Sequence, residues 1–188
     1  MNDVIEDPGP RFDGCRPYLR LLARLQLGGR LRGKLDASDL VQQTLLEACQ
    51  KQEQFRGNTE GEWLAWLRQI LAHNMADARR RFGQAKRDPS RERSLEGAMA
   101  HSSVQLGRWL ADKQPSPSEE AQHHERALQV AKAMDCLPEA RREALFLRYW
   151  QGWPLARIAE HLGRSQAAVA SLLKRGLHQL RDLLDEAE

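Results

Sequence analysis

The chain has 188 residues, 41% of them apolar and 29% charged, which is ordinary for a globular protein of one or two small domains. Its 29 basic and 26 acidic residues leave a formal net charge of +3, so total charge identifies no partner. No apolar run reaches the ~20 residues that span a bilayer, and the acidic segment 1–12 lacks the apolar stretch of a signal peptide. Three widely spaced cysteines fit neither a disulfide scaffold nor a zinc ribbon. We therefore expect a cytoplasmic protein.

Apolar residues recur at three- and four-residue spacing almost throughout, and β-branched residues are scarce, which predicts an all-α fold. This periodicity fades over residues 84–118, which are charged and rich in proline and serine, with one short helical piece around Leu106–Leu110. Residues 116–119 (SPSE) then supply the signals that begin a helix. We expect a small helical domain over 1–83, a flexible linker over 84–118 and a second helical domain over 119–188.

The first amphipathic helix is predicted over Asp39–Gln54. Its inward positions are apolar: Leu40, Val41, Leu45, Ala48 and Cys49. Its outward positions are acids and amides: Asp39, Gln42, Gln43, Glu47 and Gln50. An outward face low in lysine suits a basic partner helix, although a solvated face of an isolated helix would have the same composition.

The next helix is predicted over Glu60–Phe82, where Thr59 and Glu62 form a capping box. Its apolar stripe consists of Trp63, Trp66, Leu67, Ile70, Leu71 and Ala78. Asn74 and Asp77 precede a basic end at residues 79–81. Aromatic and amide groups beside a basic cluster suit single-stranded DNA, because bases stack and phosphates are neutralised. Tryptophans three residues apart equally suit a core; we assign Trp66 to the core and leave Trp63 open.

The third pattern is a helix pair, Leu155–Leu162 and Gln166–Leu184, joined by a tight turn. Small Ala159, then Gly163 and Val169, have the spacing of a helix-turn-helix, and Ser165 caps the second helix. The outer face of that helix carries Gln166, Ser171, Lys174, Arg175 and His178. Such groups supply donors for base edges and cations for phosphates, although lysine and arginine are also common on solvated faces.

Together, three segments resemble the extracytoplasmic-function (ECF) sigma factors, the small two-domain class of bacterial sigma factors. They are ASDLVQQTLLEA, FRGNTEGEWLAWLRQILAHNMADARRRF and LPEARREALFLRYWQGWPLARIAEHLGRSQAAVASLLKRGLHQLR, in the order that the family has them. The resemblance implies a subunit that binds core RNA polymerase and directs it to promoters for transcription initiation. Because the polymerase performs the chemistry, the resemblance implies no catalytic residue in this chain.

The resemblance also implies three sets of site residues. The polymerase-binding set is Asp39, Gln42, Gln43 and Glu47. The set for recognition and opening of the −10 element is Trp63, Asn74, Asp77, Arg80 and Arg81. The −35-binding set is Ser165, Gln166, Ser171, Lys174, Arg175 and His178. An anti-sigma factor is a further partner that is common in the family.

The chain departs from the family at Ala170 and Leu172, where members often have arginine, and at Arg157, where they often have glutamate; these departures suggest an atypical −35 sequence. The alternative function is a freestanding helix-turn-helix transcription regulator, which would need residues 1–82 as a ligand-binding or dimerisation domain. An enzyme is disfavoured because no glycine-rich phosphate loop or nucleophile elbow is present. Residues 123–125 (HHE) lack the HExxH spacing, so we expect no metal site and no cofactor.

Overall fold

Every regular element that the computed structural model describes is a helix, which confirms the predicted all-α class. The structure describes residues 9–27, 35–81, 89–108 and 120–186. The chain divides into two compact units, with the boundary between Leu128 and Gln129. Within the described ranges no helix combines the length and the apolar composition that a membrane span requires.

The first unit contains four helices in its described part: α1 (Gly9–Gln26), α2 (Ala37–Gln50), α3 (Glu60–Arg81) and α4 (Pro89–Arg108). A short 3₁₀ turn, Gln52–Gln54, follows α2. Helices α1 and α3 each contact the other three, so they form the centre of the unit. The largest fully buried side chains of this core are Tyr18, Leu19, Leu22, Trp63, Leu64, Leu67, Leu71, Met75 and Met99.

Helix α4 lies where the sequence predicted a flexible linker, so that prediction is wrong for residues 89–108. Leu95, Met99 and Ser103 form a narrow buried edge at four-residue spacing. The hydroxyl of Tyr18 donates to Ser103 Oγ at 2.8 Å and accepts from Arg68 Nη1 at 2.9 Å, which ties α4 to α1 and α3. Because this buried edge is narrow and includes a serine, the sequence of α4 shows little apolar periodicity, and the helix was not predicted. The predicted helix start at 116–119 lies outside the described residues.

The predicted capping box opens α3. Glu62 N donates to Thr59 Oγ1 at 3.2 Å, and Glu62 Oε2 accepts from Thr59 N at 3.0 Å and from Asn58 N at 2.9 Å. Hydrogen bonds from the Asn58 backbone, then from the Thr59 side chain and backbone, lower the pKa of Glu62 below its ordinary value of 4.5.

This box makes part of the stability of the first unit acid-sensitive. Because the folded pKa of Glu62 is lowered, its contribution is present above the unfolded value and is lost as pH falls through the folded pKa. Glu62→Gln is therefore expected to flatten the loss of unfolding free energy on acidification, measured by denaturant unfolding at neutral pH and at about pH 3. Glu60→Gln, an exposed acid of the same turn, is the control, and an equal flattening in that variant would contradict this account.

The second unit is a small helical cluster built around the helix pair. Its elements are α5 (Glu120–Cys136), which crosses the unit boundary, α6 (Glu139–Leu145), α7 (Leu155–Leu162) and α8 (Gln166–Asp185). A wider π-helical turn, Phe146–Trp150, extends α6. This turn changes the phase of the helix, so Tyr149 is exposed while Leu145 and Phe146 are buried.

The predicted helix-turn-helix is present. Gly163 adopts the left-handed conformation at φ 61° and ψ 37°, and this ends α7. Ser165 Oγ accepts from Ala168 N at 3.2 Å and caps α8. The apolar wedge between the two helices consists of Ile158, Ala159, Val169, Leu172 and Leu173, which are buried, whereas Leu162 is only half-buried.

Gly176 lies in the middle of α8, where glycine costs about 1 kcal/mol relative to alanine. A Cβ at this position would lie 3.0 Å from Leu145 Cδ1 and 3.4 Å from Arg141 Cβ. The glycine therefore allows α8 to approach α6 closely. This close packing orients α8 so that the side of the helix opposite Gly176 points away from α6.

Candidate nucleic-acid and partner interfaces

The outer face of α2 consists of the exposed side chains of Asp39, Gln42 and Gln43 and the half-buried Glu47. The helix begins where the Asp36 carboxylate accepts from Ser38 N at 2.8 Å. All four predicted polymerase-binding residues are therefore together on one side of this helix. The prediction that Cys49 faces inward is wrong, because Cys49 is exposed at the end of the same face.

Leu46 lies within the α2 outer face and has 58% of its surface exposed. Sequence analysis did not select it, because a leucine beside Leu45 is ordinarily assigned to the core. The signal was its helical position, four residues after Gln42 and three after Gln43. The face therefore offers an apolar contact among amides, a composition that suits protein association better than hydration alone.

Glu47 supplies the negative charge at the far end of this face. Burial opposes its ionisation, but hydrogen bonds from Lys51 and Asn74, with the nearby charges of Lys51 and His73, lower its pKa. Lys51 Nζ lies 2.6 Å from Glu47 Oε1. Glu47 is therefore an ionised, oriented group rather than a freely rotating surface acid.

Trp63 is a core residue, because only 1% of its surface is exposed. Its ring packs edge-on against Phe12 and Phe55, with centroids 5.3 and 5.1 Å away. The ring of Trp66 is tilted against it, with the two centroids 5.1 Å apart. This burial contradicts the prediction that Trp63 contacts −10 DNA. Trp66, which was assigned to the core, is the more exposed of the two rings.

Asn74 also points away from solvent, with 4% of its surface exposed. Its Nδ2 donates to Thr44 Oγ1 and its Oδ1 accepts from Gln43 Nε2, both at 3.3 Å. The side chain thus joins α3 to α2. A direct contact between Asn74 and DNA, as predicted from the sequence, is contradicted by this geometry.

The arginines at the end of α3 have different surroundings. Arg79 Nη2 donates to the Gln26 carbonyl at 2.7 Å, and burial lowers the pKa of Arg79 without removing its charge. It therefore supports the end of α1. Arg80 forms an ion pair with Asp77, and Arg81 is exposed. Of the predicted −10 residues, Asp77, Arg80 and Arg81 remain available at the surface.

Two residues that sequence analysis missed extend this surface. His73 is exposed, with Nε2 3.6 Å from Asp77 Oδ2, and Gln69 is exposed one turn earlier. The signal was the four-residue spacing back from Asp77. We call Gln69, His73, Asp77, Arg80 and Arg81 the outer edge of α3.

The outer face of α8 consists of Gln166, Ser171, Lys174, Arg175 and His178, all of which are exposed. Ser171, Lys174, Arg175 and His178 lie on one side of the helix, Gln166 lies in its first turn, and the wedge occupies the other side. His178 Nδ1 lies 3.4 Å from Asp182 Oδ1, and Arg175 Nε donates to the Ser171 carbonyl at 3.4 Å. Ser165, predicted with this set, is exposed but uses its hydroxyl in the helix cap.

Arg157, a position where the family often has glutamate, stacks on an aromatic ring. Its guanidinium lies 3.8 Å from the centroid of Trp153, and His161 meets the same ring edge-on at 5.4 Å. Arg157 is therefore an exposed and oriented cation on the first helix of the pair.

Comparison with known proteins assigns both units to one family. Residues 15–85 match Sigma-70 region 2, and residues 127–180 match Sigma-70, region 4. The ECF RNA polymerase sigma factor SigL of Mycobacterium tuberculosis is 31% identical over 150 residues, which are 80% of this chain and 75% of that protein. SigG of the same species is 33% identical over 183 residues, 91% of this chain and 48% of that protein.

The chain thus spans about half the length of SigG and a smaller share of the length of another curated relative. Among solved structures, the sigma factor RpoE in complex with the anti-sigma factor NepR from Bartonella quintana aligns with 96% of this chain and 98% of that chain. The two share 23% sequence identity, and the TM-score is 0.34.

Proposed function

This chain belongs to the ECF sigma factors of the sigma-70 family, and on that premise we propose that it binds core RNA polymerase and directs promoter-specific transcription initiation. The observation that carries the proposal is the position of the exposed faces. The region 2 match covers the outer faces of α2 and α3, and the region 4 match covers that of α8. The polymerase would perform the chemistry, in the cytoplasm, and this chain would supply recognition.

The outer face of α2 is the proposed polymerase-binding surface, where Asp39, Gln42, Gln43 and Glu47 would dock on the clamp helices of the largest subunit. Leu46 adds an apolar contact that would be desolvated on docking. An anti-sigma factor, a partner common in the family, is a further candidate occupant of surfaces needed for docking.

The outer edge of α3 is the proposed −10 surface. Arg80 and Arg81 would meet phosphates, with Asp77 orienting Arg80 through their ion pair, while His73 and Gln69 present ring and amide groups to unpaired bases. Capture of an unstacked base at such a surface would offset the free-energy cost of unstacking, which is roughly a few kcal/mol. With Trp63 buried, Trp66 is the tryptophan of this helix with exposed area for stacking.

The first experiment is co-purification of the chain with core RNA polymerase, followed by transcription from a pool of genomic fragments. We expect stable binding and discrete start sites. Alkylation of Cys49 maps the contact, because this exposed thiol lies at the end of the α2 outer face and exposed Cys136 in the second unit is a matched control. Polymerase should protect Cys49 more than Cys136. Sequence-specific binding of duplex DNA by the chain alone, without polymerase binding, would favour the freestanding regulator.

Arg175→Ala tests the −35 surface. Loss of one exposed cation on the outer face of α8 is expected to weaken promoter binding by the holoenzyme about tenfold and to reduce the slope of log affinity against log salt by about one. Lys132→Ala removes an exposed cation from α5, a different helix of the second unit, and is the control. Filter binding over a salt series measures both. Equal effects of the two substitutions would show that the outer face of α8 is not the −35 surface.

A further inference from the structure

A buried amide connects the outer face of α2 to α3. The side chain of Asn74 hydrogen bonds with two residues of α2, Gln43 and Thr44, and it also lowers the pKa of a third, Glu47. A side-chain amide has two donor hydrogens and one acceptor oxygen. Both bonds are 3.3 Å long and run to α2, and the side chain is buried, so the amide is directed toward α2 rather than toward solvent.

Thr44 fixes the orientation of this amide. It is fully buried, and its hydroxyl donates to the Leu40 carbonyl at 2.7 Å, so its oxygen is left to accept from Asn74 Nδ2. The Asn74 oxygen then faces Gln43. Since the orientation of an amide follows from its hydrogen bonds, the bond to buried Thr44 determines how Asn74 meets Gln43 and Glu47.

Gln43 and Glu47 are both members of the proposed polymerase-binding set. Free glutamine and glutamate side chains lose rotamer entropy when they are immobilised. Side chains that are already held before association lose less, and affinity rises accordingly. The side chain of Gln42 is exposed on the same face and makes no hydrogen bond to the described residues, so it lacks this support.

We propose that Asn74 is a positioning residue for polymerase docking, which holds Gln43 and Glu47 in their binding conformations, and that it does not read the −10 element. The proposal rests on the proposed function, because it presumes that the α2 outer face binds polymerase. Under this proposal, Asn74 acts in assembly of the holoenzyme, although it lies on α3, the helix that carries the proposed −10 surface.

The test is a pair of double-mutant cycles on affinity of the full chain for core RNA polymerase. Asn74→Ala is expected to weaken binding about five- to tenfold, the effect of losing hydrogen bonds that pre-organise two contacts. Combined with Gln43→Ala, the losses should be less than multiplicative, because each change removes the same support. Combined with Gln42→Ala, the losses should multiply. A general loss of folding would affect both cycles alike.

Competition between unlabelled variants and labelled wild-type chain measures these affinities, and binding of a single-stranded −10 oligonucleotide by assembled holoenzyme provides the second readout. We expect Asn74→Ala to leave oligonucleotide binding unchanged once holoenzyme has formed. Equal multiplicativity in both cycles, or unchanged polymerase affinity with weaker oligonucleotide binding, overturns the proposal. If the wild-type chain does not bind core polymerase, the proposed function fails as well.

Thermal unfolding verifies that Asn74→Ala is folded. If it is not, Asn74→Asp replaces it, because aspartate keeps the volume and the acceptor for Gln43 but places a carboxylate against Glu47. Weaker polymerase binding by folded Asn74→Asp supports the proposal, and wild-type affinity overturns it.

Discussion

Replacing Trp63 with alanine is expected to lower the unfolding free energy of the first unit by about 3–5 kcal/mol. The ring is fully buried among Phe12, Phe55 and Trp66, so its removal would leave a cavity lined by aromatic groups that cannot all move inward. Since natural domains are stable by only about 5–15 kcal/mol, this loss is a large share of the total. Denaturant unfolding followed by circular dichroism at helical wavelengths measures it.

Trp66→Ala is the matched comparison, because Trp66 is on the same helix, touches the same cluster and is only partly buried. We expect a smaller loss of stability from this change. Trp63→Phe retains an aromatic ring and should restore most of the stability. If Trp63→Ala were as stable as the wild type but failed to open promoters, Trp63 would be a DNA contact and the described packing would not hold in the complex.

Replacing Asp39 and Gln43 together with alanine is expected to weaken binding to core polymerase about 100-fold, while the free energy of unfolding falls only by the roughly 1 kcal/mol of the lost Gln43–Asn74 hydrogen bond. Both side chains are exposed, so their truncation leaves no cavity. Two central interface contacts of about 1.4 kcal/mol each amount to this factor. Competition for core polymerase measures the affinity, and thermal unfolding verifies the fold.

Gln54→Ala is the control for this double substitution, since Gln54 is an exposed amide just beyond α2. It should bind polymerase as the wild type does. Unchanged affinity in the double variant would remove the α2 outer face from the docking surface. Leu46→Ala would then show whether the apolar part of the face, rather than its polar part, supports association.

The signals that sequence analysis read correctly are local. The Thr59–Glu62 box, the Ser165 cap and the left-handed Gly163 each depend on residues within a few positions of one another. Helical periodicity is local in the same sense, since it places residues three and four apart on one face. Helix boundaries in α3, α7 and α8, and the face that α8 exposes, therefore followed from the sequence.

Helix α4 could not be read in this way. Its buried edge includes Ser103, which is suited to the core because the Tyr18 hydroxyl, 85 residues earlier in the chain, donates to it. A serine-containing and charged segment resembles a linker until that partner is known. The stability of α4 comes from packing against α1 and α3 rather than from its own composition.

The sequence by itself determined helices α2, α3, α7 and α8, the family, and which residue types stand on α3: an indole, an amide and a run of arginines. Only the tertiary structure decided which of them meet solvent. Trp63 packs between Phe12 and Phe55. Asn74 donates a hydrogen bond to Thr44 on α2, and Arg79 donates one to the Gln26 carbonyl at the end of α1. The physical reason is that a buried polar group needs hydrogen-bond partners and a buried ring needs packing neighbours. Here those partners are distant in the chain, so only the tertiary structure brings them together.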